Sequence, residues 1–272
     1  ITDLVKGDLG ISLRSKNPVS FELGNRFTAT FELVTIALFL AILIGFPLGV
    51  LSAYYRNTKL SLFIRTIAFT SFALPVFWSG MLLQILLFGK LGWFPLQGRL
   101  SAQFQGSELS IQTGILVVDT LLSGNWEMFL DAMRHIALPV ICLSFSILGI
   151  IIRTVRSAVL ENIQQDYFMT YQTFGFDPLI ILFRLALRNS LILSITVVGL
   201  VYGMLLGGSF LVESIFDWPG LGHFGYLSIS ASDLPSVMGV TILYSAVYVI
   251  INFLVDIGCH YLDPRVRIEG VN

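Results

Sequence analysis

The chain has 272 residues, 55% hydrophobic and 12% charged, with a mean hydropathy of +0.82 and a formal net charge of −1. Soluble domains carry about twice that charged fraction, and a chain without net basic charge offers nucleic acid no electrostatic footprint. Cys142 and Cys259 fall in or at the edge of apolar runs, where they read as small packing residues and not as a disulfide.

Five windows contain no Asp, Glu, Lys or Arg: 33–55, 66–89, 135–152, 189–212 and 234–255. Each approaches or exceeds the ~18–20 residues that cross about 30 Å of hydrocarbon as a helix. Lipid offers the backbone no hydrogen bonds, so such runs must be helical, and the alternation of a membrane barrel is absent. The expected fold is therefore an all-α, polytopic helical membrane bundle. An external segment, 1–28, precedes a transmembrane domain, 29–272, with spans at about 31–55, 66–89, 135–153, 189–212 and 235–258. The apolar stretch Leu109–Val118, beside Asp119, is too short to span and reads as a surface or re-entrant helix. Pro47, Pro75 and Pro139 lie within or near the ends of spans, where a missing N–H donor favours a kink. Gly203-x-x-x-Gly207 fits the small-xxx-small pattern of close helix contacts.

Orientation follows from the basic residues in short connections. Arg56, Lys59 and Arg65, then Arg153, Arg156, Arg184 and Arg188, then Arg265 and Arg267 sit close to span ends. That side is expected to be cytoplasmic, which places the loop 154–188 and the C-terminus inside. The N-terminus and the loops 90–134 and 213–234 lie outside, where many of the acidic residues cluster, Glu213 and Asp233 among them.

Several chemistries have no sequence support. There is no P-loop pattern, no H-E-x-x-H and no G-x-S-x-G, and His135, His223 and His260 stand far apart. Ionisable groups inside spans are functional suspects, and only Asp256 comes close. With Asn252 and His260 it shares a helix face at i, i+4 spacing, either as a proton relay or as a hydrogen-bonded staple near the interface. A secondary transporter or channel working without ATPase partners would want mid-membrane charges and an inverted repeat, and neither is found.

The polar stretch between the third and fourth spans is more telling. Val159, Ile163, Tyr167, Thr170 and Phe174 recur at steps of three or four, which predicts a helix. Gly175 is a natural stop and Pro178 blocks continuation, so a second helix should follow and run into Leu191. Phe168, Phe174 and Phe176 are costly to expose on a mere linker, and they point to a buried contact with a partner.

Here the sequence resembles the membrane permease subunits of binding-protein-dependent ABC importers, in their peptide/nickel branch. Asp166-Tyr167-x-x-Thr170-x-x-x-x-Gly175, followed by Leu185-Ala186-Leu187-Arg188-Asn189-Ser190, resembles that branch's coupling loop. Gly7-Asp8-Leu9-Gly10-x-Ser12, Gly45-x-Pro47-Leu48-Gly49-Val50, Asp119-x-Leu121-Leu122-x-Gly124-Asn125-Trp126 and His135-x-x-Leu138-Pro139 follow the family in order and spacing. So do Val212-Glu213-x-x-Phe216-x-x-Pro219-Gly220-Leu221-Gly222 and Asp263-Pro264-Arg265-Val266-Arg267. The likeness covers essentially the whole chain. It departs in two respects. The family has six spans, so a first span is expected before Ile1. Met169, Thr170 and Tyr171 stand where the general motif has E-A-A, and Phe174 where the branch often has lysine.

The resemblance implies a transport subunit, not an enzyme, with no cofactor of its own and with ATP and Mg²⁺ held by partner subunits. It implies a homologous second permease, two cytoplasmic ATPases and an external solute-binding protein. Coupling to the ATPases would fall on Asp166, Tyr167, Thr170, Phe174, Gly175 and Phe176. An external gate or binding-protein contact would fall on Glu213, Phe216, Trp218, Pro219 and Gly220. Polar and aromatic span residues are candidates for the path: Ser79, Ser144, Thr196, Tyr202, Ser209, Tyr248 and Asn252, together with Ser71, Gln84, Ser146, Tyr244 and Ser245. Arg153, Arg156, Arg184 and Arg188 read as interface anchors and not as substrate ligands. The branch carries dipeptides, oligopeptides, nickel and oligosaccharides, with selectivity largely in the binding protein.

Overall fold

A computed structural model of the chain describes residues 9–104, 113–176, 181–182 and 187–262. Among the described residues the regular structure is helical, apart from one isolated bridge between Ile11 and Pro18. The α-helices are α1 (Val19–Tyr54), α2 (Lys59–Ala73), α3 (Val76–Leu83), α4 (Leu116–Leu122) and α5 (Trp126–Ile163). They continue with α6 (Asp166–Thr173), α7 (Leu187–Ile215), α8 (Leu221–Ser230) and α9 (Leu234–Leu262). α3 continues directly into a π-helical stretch, Gln84–Lys90.

Among the described residues, four helices are long and apolar enough to cross a membrane: α1, α5, the Val197–Ile215 part of α7 and the Leu234–Gly258 part of α9. They become five if the broken pair Lys59–Ala73 and Val76–Lys90 counts as one span. The helices reach further than the charge-free windows. α1 takes in Glu22, Arg26 and Glu32, and α7 ends beyond Glu213. This corrects the expectation that Asp256 alone approaches a span. Absence of charge marks hydrocarbon depth, whereas a helix continues for as long as its backbone bonds and packing allow.

The three prolines behave differently. Pro47 and Pro139 are absorbed within continuous helices. Pro75 caps the start of α3, after Leu74 has turned extended at φ −83°, ψ 127°. A residue before proline is pushed out of the helical region by the ring, so Leu74–Pro75 is where the broken pair parts.

The chain divides into two compact units, both fed by α1, α5, α7 and α9. The first draws its described residues from Ile1–Leu38, Pro75–Ser144 and Met204–Val247, the second from Phe39–Leu74, Phe145–Gly203 and Tyr248–Asn272. In the first, Val19, Leu23, Leu221, Phe224 and Val240 form a buried cluster flanked by Leu9, Phe27, Leu243 and Tyr244. In the second, Ile64, Leu148 and Ile152 pack with Leu48, Leu51, Ile67, Ala68 and Phe145.

Lipid is as apolar as leucine, so helices associate in it through close packing. In the second unit a Cβ on Gly149 would stand 2.2 Å from the Ala68 carbonyl oxygen, so only glycine lets α5 approach α2 this closely. The expected Gly203–Gly207 pair is shifted by one turn. Gly199 abuts Val255, and Gly203 lies under the Tyr248 ring, where a Cβ would come within 2.2 Å of the Tyr248 Cε2 atom; Gly207 faces open space. Gly203→Ala should therefore cost about 1–3 kcal/mol of stability, while Gly207→Ala stays within about 0.5 kcal/mol. Thermal unfolding in detergent measures both, and Tyr248→Ala should recover the Gly203→Ala loss. Equal melting of the two glycine variants would refute this packing.

Candidate functional site

The coupling stretch is built in two pieces. α5 ends where the Gln164 and Gln165 N–H groups donate to the Glu161 and Asn162 carbonyls at 3.2 and 3.3 Å, three residues back. Such tight bonds close a helix, so the single helix expected over Val159–Phe174 is split before Asp166. Asp166 then stands in the first turn of α6, where a negative charge suits the helix dipole.

At the far end Gly175 adopts φ +82° and the Phe176 N–H donates to the Tyr171 carbonyl at 3.2 Å. That six-residue bond across a left-handed residue is a Schellman cap. Its usual apolar contact is present as the edge-on Tyr171 and Phe176 rings, 5.5 Å apart. The Gly175 stop expected from sequence is therefore the element's real end. Pro178 and Arg184 lie outside the described residues, and the following helix is described from Leu187.

The three phenylalanines do not share a fate. Phe168 is 3% exposed and lines a cavity of about 180 Å³ with Ala53, Tyr54, Arg56, Leu160 and Ile163. Its apolar surface is covered within the chain, which corrects the expectation that it contacts a partner. Phe174 is 75% exposed, and Met169 and Phe176 are exposed beside it. Thr170 is exposed and its hydroxyl donates to the Asp166 carbonyl at 2.9 Å. The side chain of Tyr167 lies outside the described set.

In the first unit, Glu213 near the end of α7 is fully buried. One carboxylate oxygen accepts the Thr30 hydroxyl at 2.8 Å and the other accepts the His223 N–H at 3.0 Å. His223 is in the first turn of α8, where unpaired N–H groups favour an anion. The Thr30 oxygen in turn accepts the Leu221 N–H at 2.8 Å. Between the helices, the Trp218 N–H donates to the Glu213 carbonyl at 2.8 Å and the Trp218 indole N–H to the Ala29 carbonyl at 2.9 Å. A Cβ on Gly220 would lie 2.5 Å from the Glu213 carboxylate, and one on Gly222 2.6 Å from the Phe210 Cα. The Pro219-Gly220-Leu221-Gly222 spacing is thus required by how closely backbone wraps the carboxylate. Phe216 and Trp218 are buried with it.

Two further clamps in this unit were not singled out in the sequence. Arg99 pairs with buried Glu32, which also accepts the Val117 N–H at 2.7 Å, and its guanidinium lies 5.3 Å from the Trp218 ring centre. Asp233 precedes α9 and accepts the Ser12 and Ser236 hydroxyls. Burial alone would raise its carboxyl. The Ser12 and Ser236 hydroxyls with the Leu13 and Arg14 N–H groups outweigh that and hold it at about 2, so Asp233 ties the N-terminal segment to α9 as an anion. The signal available in sequence was an acid next to a serine-rich turn, which is too common to select it.

The family described as binding-protein-dependent transport system inner membrane component matches residues 45–268. The chain belongs to that family. A probable D,D-dipeptide transport system permease protein of Escherichia coli K12 is 43% identical over 270 residues, covering 99% of this chain and 79% of that protein. A di/tripeptide transport system permease protein of Pseudomonas aeruginosa is 38% identical, covering 98% of this chain and 79% of that protein. A glutathione transport system permease protein of Pectobacterium atrosepticum is 32% identical, covering 98% and 77%. A chain of the MetNI methionine ABC transporter, solved in an inward-facing conformation, matches in fold with a TM-score of 0.68 at 17% identity, over 89% of this chain and 97% of that one. The protein is a multi-pass inner-membrane permease subunit of an ABC importer, a transport subunit and not an enzyme.

The permease places its polar span residues unevenly. Ser144 is buried and donates to the Ala37 carbonyl at 2.9 Å, joining α5 to α1. Buried Ser79 and Ser209 donate to the Val76 and Leu206 carbonyls of their own helices. Tyr202 is also buried, whereas Tyr248 is 42% exposed. Asn252, half-buried, donates to the Tyr248 carbonyl at 2.9 Å. The side chains of Thr196 and His260 lie outside the described set.

Proposed function

We propose that this permease forms half of a translocation path for peptides, with a homologous second permease as the other half and two ATPases seated on the α6 element. Exposed Phe174, raised on a short helix with a fixed end, carries this reading. An apolar ring on a rigid post transmits displacement when it is seated in a partner's groove. The peptide assignment draws on relatives named for dipeptide, di/tripeptide and glutathione transport. On this reading the loop 154–188 and the C-terminus are cytoplasmic, an external binding protein delivers substrate, and ATP and Mg²⁺ reside on the ATPases.

The Glu213–Gly220 hairpin then acts as a braced external gate element. With Glu213, Phe216 and Trp218 buried, it works through its backbone and its clamp and not by offering those side chains to a binding protein. Tyr248, Ser245 and Asn252 are among the path candidates whose surface is open, and Ser79, Ser144 and Ser209 support packing. Purification of the tagged permease from its native membrane should bring down a second permease and two copies of an ATPase per assembly. A homo-oligomer that transports without an ATPase would overturn the proposal.

A further inference from the structure

The described ion pairs of this permease, Arg26–Glu22, Arg99–Glu32, His135–Asp131 and His223–Asp217, all belong to the first unit. The second unit carries Arg56, Lys59, Arg65, Arg153 and Arg156 among its described residues, and none has an acidic partner there. Two of these cations are brought together by helix packing. Ile64, next to Arg65 on α2, packs with Leu148 and Ile152 of α5, one turn before Arg156. Gly149 lets the two backbones touch, and the charges of Arg65 and Arg156 bear directly on one another.

Arg156 Nε is buried and has no hydrogen-bond partner among the described residues. The Arg65 Nε–H donates to the Ser61 carbonyl at 3.4 Å, leaving its terminal nitrogens free of that bond. Two like charges beside a buried, orphaned donor are unfavourable unless an anion joins them. Depth says which anion. Arg65 immediately precedes the charge-free run 66–89, and Arg156 follows the run 135–152 within one turn. Both sit at the first polar level beyond hydrocarbon, where phospholipid phosphates lie. Guanidinium forks match phosphate oxygens in pairs. Exposed Leu62, Phe63, Phe69 and Phe72 on α2 offer acyl chains an apolar flank.

We propose that Arg65 and Arg156 form a binding site for the phosphate of an anionic phospholipid, which bridges α2 and α5 at the membrane surface. The test is native mass spectrometry of the assembled importer, titrated with phosphatidylglycerol, with phosphatidylcholine and with inorganic phosphate. Phosphatidylglycerol should be retained about tenfold better than phosphatidylcholine. The preference should vanish in R65Q/R156Q, weaken in R156K and survive in R153Q, which alters an exposed arginine. If the double variant does not assemble, R65Q alone reads the site, because Arg65 is itself exposed. Equal retention of the two lipids, displacement by inorganic phosphate at matched concentration, or loss of preference in R153Q equal to that in R65Q/R156Q would each overturn the proposal.

Discussion

Phe174→Asp should abolish ATP-driven uptake by the assembled importer while leaving this permease folded and ATP hydrolysis running. Phe174 is 75% exposed in the chain, so the substitution removes little internal packing, and a surface change of that kind moves stability by about 0.5 kcal/mol or less. Seated in a partner's groove, a phenylalanine anchor is worth about 2–4 kcal/mol, and a carboxylate in its place adds desolvation cost. At about 1.4 kcal/mol per factor of ten, uptake should fall by about 100-fold or more. Gly175→Pro should have the same effect by another route, since proline fixes φ near −65° and Gly175 needs +82°. The Schellman cap would open and the ring would lose its post. Gly175→Ala, strained but possible, should fall between. Reconstituted vesicles report uptake and hydrolysis together. Uptake by Phe174→Asp at the parental rate would sink the coupling role of α6, and parallel loss of hydrolysis would mean failed assembly in place of uncoupling.

The spans were legible because charge-free length is a property of composition, and four of the five expected windows map onto single helices. The fifth breaks at Leu74–Pro75, since a proline reports a helix boundary only through the conformation of the residue before it. Gly175 was legible because a left-handed cap is a local need. What could not be read was rotation. Phe168 and Phe174 are six residues apart, about 240° around an ideal helix, so one turns inward and the other out once α6 is separated from α5. Gly199, Gly203 and Gly207 recur every fourth residue, and only the position of α9 selects the first two as contacts. Glu213 escaped notice as a buried group because its partners, Thr30 and His223, are 183 residues before it and ten after it. A carboxylate whose donors come from a distant helix leaves no periodic trace.

That carboxylate sets the largest expected loss of stability in the chain. Glu213→Leu removes the acceptor of the Thr30 hydroxyl and of the His223 N–H at a fully buried carboxylate. A buried hydrogen bond contributes about 1 kcal/mol, and an orphaned buried donor costs about 1–3 kcal/mol. Losing two buried hydrogen bonds and orphaning both donors is expected to cost about 3–5 kcal/mol here. Glu213→Gln keeps the shape but turns an NH₂ toward one donor, so it should cost less. Thr30→Val breaks two links at once, since the same oxygen donates to Glu213 and accepts from Leu221. Combined with Glu213→Leu, its effect should be far less than additive, because residues of one network do not contribute independently. Gly222→Ala should be severe for a steric reason, as its Cβ would meet the Phe210 backbone, which has no flexible end to move aside. Unfolding curves in detergent rank these variants. Transport by those that survive separates brace from gate: a pure brace loses activity only in step with stability, whereas a gate element in Glu213→Gln loses uptake at temperatures where the protein is still folded. Parental stability in Glu213→Leu would remove the clamp from any account of the hairpin.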